Sequence, residues 1–181
     1  MPTLSFSVEE FFAVFAAYNE TVWPMQWILE AAGFAVLVLL ASGHADRNRW
    51  VGVLLGLLWA WAAVAYHLWH FARINPLAFL FAAAFLSEAG LLLWLVVRRQ
   101  AVTFAFRLDL RGWLAAILVL YALVVYPAIG SALGHRFPAT PTFGVPCPTT
   151  IFTIGLLWTA TAPLPRSVVL APLLWCAIGG Q

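Results

Sequence analysis

Residues 77–97 read LAFLFAAAFLSEAGLLLWLVV, a run with one charge, Glu88, near its middle. At 1.5 Å per residue a helix of that length is about 31 Å long, the thickness of a bilayer's hydrocarbon core. The stretch therefore predicts a membrane-spanning helix, and its neighbours repeat the pattern. Apolar windows at 22–41 and 50–71 precede it, and 113–132 follows with a kink predicted at Pro127. Two shorter segments close the chain, 148–161 and 167–181. The last reaches only about 22 Å, so it is read as re-entrant or as a span continuing past residue 181; we prefer the second.

Composition agrees. The 181 residues are 64% hydrophobic and 9% charged, where soluble domains carry about 25% charged residues. The expected fold is an all-α polytopic transmembrane bundle of about six spans, with residues 1–181 forming a single integral membrane domain. Ahead of the first span, residues 1–20 lack the basic start of a signal peptide and carry Glu9 and Glu10. Ser7 and Glu10 have capping-box spacing, and Phe11, Phe12, Phe15 and Tyr18 supply an apolar face, so an amphipathic interfacial helix is predicted.

The basic residues are nine arginines with no lysine. Arg47, Arg49, Arg98, Arg99, Arg107, Arg111 and Arg166 fall in alternate loops, leaving Arg73 and Arg136 for the other side. Seven against two places the first group in the cytoplasm and the N-terminus outside. The net charge of +2 thus reads as orientation and excludes nucleic acid as a partner. Residues 102–111, VTFAFRLDLR, partly alternate and predict an extended or interfacial strap. No phosphate-binding glycine loop or nucleophile elbow occurs, which argues against ATP-driven and hydrolytic chemistry and leans away from an enzyme.

With that orientation the polar residues collect in the outer half. Glu30 falls about 12 Å and Glu88 about 17 Å below the outer boundary. Carboxylates at such depth cost roughly 2.5 kcal/mol or more unless sheltered. Both are candidate transport or proton-relay residues; the plain alternative is a neutral carboxyl bonding two helices. His67 and His70, three apart, share a face if the helix is regular and could bind a metal or a haem. Their alternative is interfacial anchoring beside Tyr66, Trp69 and Arg73. Thr149, Thr150 and Thr153 line the start of the fifth helix and, with the two histidines, are assigned to an outer vestibule. Cys147, between Pro146 and Pro148, is either a soft-metal or redox thiol or a small residue in a proline-rich turn. His135 completes the candidate metal set of Cys147, His67, His70 and His135. One Cys147–Cys176 bridge is the most disulfide chemistry available. The loop HRFPATPTFGVP, 135–146, is long and stiff enough to fold over the outer mouth.

Three segments, AAYNETVWP at 16–24, YHLWHFARINP at 66–76 and FGVPCPTTIFTIGLLW at 143–158, resemble a bacterial family of multi-pass inner-membrane proteins whose function is unknown. The Pro-Cys-Pro-Thr-Thr stretch is the most specific of the three. The resemblance implies a compact helical bundle in the bacterial inner membrane whose last helix runs on beyond residue 181, and it implies no activity. The leading expectation is a small transporter or permease, with Glu30 and Glu88 beneath an outward-facing vestibule. The alternatives are a metal- or haem-binding redox enzyme and a structural or accessory subunit. The residues name no definite cofactor; a metal ion is the leading candidate, with haem under the redox alternative. The expected partners are membrane lipid, an ion or small-molecule substrate, and a second copy of the chain.

Overall fold

In the computed structural model, which describes residues 6–179, the chain forms seven helices and, among the described residues, no strand. Helix α1, Val8–Thr21, starts on the predicted capping box: Glu10 N–H donates to Ser7 Oγ at 3.1 Å, and Ser7 N–H donates to Glu10 Oε2 at 2.7 Å. The two reciprocal bonds satisfy donors that a helix start would otherwise leave orphaned. A 90° bend at residues 22–24 leads into α2, Met25–Ala41. Then follow α3 (Arg47–Arg73), α4 (Ala78–Arg98), α5 (Leu110–Ala132), α6 (Pro146–Leu157) and α7 (Arg166–Ile178).

Three of these, α3, α4 and α5, are long and apolar enough to cross a membrane; the bent α1–α2 pair makes a fourth if counted as one span. Six spans are not shown among the described residues. Helix α6 has 12 residues and α7 has 13, which is about 18–20 Å of rise. Helix α2 keeps 17 residues, because 22–24, expected inside the first span, form the bend. Helix α6 begins at Pro146, two residues early, since both prolines fit a first turn that needs no donors. It stops at Leu157 because the next residues turn into the strap. Where a kink at Pro127 was expected, Leu110–Ala132 runs on as one span with a π-helical stretch at Tyr121–Val125 just before the proline; π-helical turns also end α3 (Ala62–Leu68) and α4 (Leu93–Arg98).

Helix α3 is the centre of the bundle. Its apolar window is 61% buried, against 33% for α4 and 22% for α5, so the latter two present apolar faces outward. Helix α3 packs on α2 and, antiparallel, on α4. At Gly52 a Cβ would lie 2.6 Å from Val96 Cγ1, and at Gly56 2.8 Å from Leu93 Cγ, so both glycines permit the close approach. Leu55, Trp59, Phe85, Leu92, Phe152 and Leu156 form the middle of the core.

The strap lies across one end of the bundle. Phe104 N–H donates to Asn48 Oδ1 at 2.8 Å, Ala105 N–H to Thr159 O at 3.0 Å, and Thr161 N–H to Thr103 O at 2.9 Å. Val102 and Phe104 point inward and are buried, while Phe106 and Leu108 are exposed. Residues 102–105 alternate buried with half-buried, as in a short extended segment with one covered face, and the covering ends by Phe106. The start of α3, the end of α4 and the starts of α5 and α7 share this end, which gathers the seven arginines; Arg73 closes α3 at the opposite one.

Candidate functional site

Glu88 lies on the inner face of α4, with no exposed surface and with neither carboxyl oxygen hydrogen-bonded among the described residues. His67, in the π-helical end of α3, is as fully buried, and neither ring nitrogen has a partner. The helices that carry them pack together. The His67 ring lies 4.8 Å from the Phe85 ring, and Glu88 follows Phe85 by one turn of α4. Phe81 at 5.8 Å, Phe71 at 6.1 Å and Trp175 of α7 at 5.1 Å complete an aromatic cage around the imidazole. Trp59 meets Phe85 at a tilt, with centroids 4.4 Å apart, and donates its indole N–H to Thr153 Oγ1 at 2.9 Å; Thr153 donates in turn to Thr149 O at 2.8 Å. Thr149 and Thr150 are buried with hydroxyls that have no partner. The interior between α3, α4, α6 and α7 thus holds a carboxyl, an imidazole and two hydroxyls with unmet hydrogen bonds, each costing about 1–3 kcal/mol where nothing compensates it.

The two histidines do not share a face. The predicted i, i+3 alignment assumes 3.6 residues per turn, but the backbone is π-helical through Leu68 and leaves regular helix at His70. His70 Nδ1 lies 2.6 Å from Ala65 O of its own helix, and its ring meets Tyr18 of α1 edge-on at 5.6 Å. It lines a shallow cleft of about 190 Å³ with Glu10 and Arg73. His135 stacks on Phe12 with centroids 3.5 Å apart. Among the described residues no three of His, Cys, Asp and Glu converge as a metal site. The expected metal set of Cys147, His67, His70 and His135 is therefore dispersed, and the haem reading loses its paired ligands. Cys147 and Cys176 are free thiols.

The cavity at the end of the bundle away from the strap also differs from the expected vestibule. It measures about 430 Å³ and opens among the ends of α1, α3, α4, α6 and α7. Its wall is aromatic, and of the assigned residues Cys147 alone lines it. His67, Thr149, Thr150 and Thr153 lie behind that wall; His67 is separated from the cavity by the rings of Phe71, Phe81 and Trp175. Glu30 is half-buried on α2, and α3 packs against both that helix and α4, so the two glutamates sit on helices on either side of α3, and neither lines the 430 Å³ cavity.

Two features escaped the sequence reading. Trp175 was hidden in a segment too short to read as a span. Asn19 is fully buried and ties the α1–α2 corner to the loop before α6. Its Nδ2 donates to Pro138 O at 2.6 Å and Thr140 O at 2.7 Å; its Oδ1 accepts from Thr142 Oγ1 at 2.9 Å and Gln26 Nε2 at 3.3 Å. An asparagine in the last turn of an otherwise aromatic amphipathic helix was the signal available for it. That clamp holds the loop down: Phe143 packs on Gly33, and Gly144, with a φ of +97° suited to glycine, lies against Leu29.

A family model described as a family of unknown function, DUF6064, matches residues 8–181, so the chain belongs to that family. Comparison with curated proteins and with solved structures gave no match.

Proposed function

For this member of DUF6064 we propose a proton-coupled permease of the bacterial inner membrane, multi-pass, with the arginine-rich end in the cytoplasm and the N-terminus outside. One observation carries the reading: Glu88 and His67, on packed helices, are both fully buried with no hydrogen-bond partner among the described residues. A group kept for stability alone would be expected to find a partner; a group that must exchange a proton gains from having none fixed. Glu88 takes up and releases the proton. His67 relays it toward the outer cavity, and the rings of Phe71, Phe81 and Trp175 form the gate between them. Thr149 and Thr150 supply hydroxyls to water chains or to a passing polar group. Glu30, on a different helix face, is not in this route. Lipid covers the outward apolar faces of α4 and α5, or a second copy does.

The test uses the full chain reconstituted in vesicles loaded with a pH-sensitive dye. A potassium diffusion potential, inside negative, should drive internal acidification, and Glu88→Gln should slow it at least tenfold while leaving the detergent elution profile unchanged. Equal rates in the two proteins would overturn the assignment.

A further inference from the structure

The 430 Å³ cavity opens beyond the rings of Phe71, Phe81 and Trp175, and the passage of a proton does not require the aromatic wall it has. We infer that it is a binding site for an uncharged, ring-containing lipophilic small molecule. Its size lies within the range of small-molecule sites, about 300–1,000 Å³. The class of ligand follows from the wall. Phe6, Phe11, Phe15, Phe71, Phe81 and Trp175 come from four different helices or their flanks and converge on one space. They are already arranged for edge and face contact: Phe6 meets Phe71 edge-on at 5.5 Å, Phe11 meets Phe15 edge-on at 5.0 Å, and Phe81 meets Trp175 edge-on at 5.3 Å. A planar ring entering this space continues the same geometry, with offset or edge contacts worth about 0.5–1.5 kcal/mol each beyond the burial of area. No lining side chain carries a full charge, so an ion entering would lose its hydration with nothing in exchange.

The polar groups at the wall are few. Asn75 Oδ1 is committed to Leu77 N–H at 3.0 Å, which leaves the asparagine amide N–H₂ as a donor, and Ser7 is committed to its capping box, while Tyr66 brings a hydroxyl and Trp175 an indole N–H that has no partner among the described residues. One small polar group on the ligand, an oxygen or an amine, is therefore the polar feature the cavity can match. A long flexible acyl chain fits less well, because it would surrender rotamer freedom to a short space walled by rigid rings. Cys147 stands in the wall, half-buried, so its thiol reports on whether the space is filled.

Binding is read at fixed pH without a gradient, so this inference stands or falls separately from the proton route. The probe is 1-aminoanthracene, uncharged at neutral pH, added to the full chain in lipid nanodiscs on a Cys176→Ser background that leaves Cys147 as the single thiol. The expected result is a saturable rise in fluorescence, one probe per chain, above the linear partition into lipid, with N-ethylmaleimide alkylation of Cys147 slowed at least threefold at saturation. Leu77→Trp places an indole at the rim from a residue already 56% exposed, a change that leaves the core untouched. It should abolish the saturable phase while Cys147 keeps its slow background alkylation. Linear partition alone, saturation with no protection of Cys147, or saturation unchanged in Leu77→Trp would each overturn the assignment.

Discussion

Asn19 offers the sharpest test of the packing, because its side chain donates and accepts at once. Replacing it with alanine removes two donated bonds, to Pro138 O at 2.6 Å and Thr140 O at 2.7 Å, and the acceptor for Thr142 Oγ1 at 2.9 Å. The longer Gln26 contact at 3.3 Å adds little, since Gln26 Nε2 keeps its 2.7 Å bond to the Asn19 backbone carbonyl. Three bonds, one buried and two part-buried, at about 1 kcal/mol each give a loss of roughly 3 kcal/mol. For a chain of this length that lowers Tm by roughly 6–12 °C. Asn19→Asp is nearly isosteric, yet it should be worse than alanine. A carboxylate oxygen replaces the donor and faces two carbonyl oxygens in a fully buried place, so desolvation and repulsion add to the lost bonds. Acidification should narrow the gap between the two variants, since a neutral carboxyl regains one donor. The assay is thermal unfolding in detergent, followed by tryptophan fluorescence across a pH series, with limited proteolysis at Arg136 to report release of the loop. If Asn19→Asp were as stable as wild type at neutral pH, the residue would be a spacer and the clamp argument would fail.

Two further predictions follow from geometry. Gly52→Ala puts a Cβ 2.6 Å from Val96 Cγ1 and 2.7 Å from its Cβ, so α3 and α4 must part; overpacking of about 1–3 kcal/mol outweighs a helix-propensity gain of about 1 kcal/mol. Gly90→Ala, with open space around the new methyl, should be neutral or stabilising, and comparing the two melting curves checks the difference. At the exposed start of α5, the Gly112 N–H bond to Asp109 Oδ1 holds that carboxyl below its ordinary value, helped by Arg107 at 2.7 Å. A depressed carboxyl contributes fully above its unfolded pKa of about 3.9 and loses that contribution as pH falls through the folded value. Protection factors for the first turn of α5, exchange rates divided into the intrinsic rate at each pH, should therefore stay flat from pH 7 to 5 and fall below pH 4, and Asp109→Asn should remove that step.

The long spans were legible because twenty apolar residues in a row leave little choice of structure, and the capping box at Ser7 was legible because it is local. What failed was what depends on more than one segment. Helix α6 looked like a span by its apolar character, but its length is set by Thr159 and Thr161 pairing with the strap, a contact 58 residues away for the Thr103–Thr161 pair. The Asn19 clamp joins residues more than a hundred positions apart, and no periodicity marks such a pair. The vestibule was drawn from residue types that bond metals and protons, whereas the real cavity is walled by the aromatic residues that a sequence reading assigns to the core.

The histidine pair shows why one local irregularity can redirect a functional argument. Three residues of regular helix turn through about 300°, which would leave His67 and His70 side by side. A π-helical turn, with its i to i+5 bonds, places more residues in each turn and so rotates less per residue, and the chain leaves it at Leu68, with His70 at φ −117° before the 3₁₀ turn at Phe71–Arg73. The net rotation sends His67 inward among Phe85 and Trp175, and His70 outward to Tyr18 and the carbonyl of Ala65. The π stretch removes a chelating pair and creates an isolated buried imidazole one helical turn from the level of Glu88. Backbone register, more than residue identity, is what separates a metal reading from a proton-handling one at this end of α3.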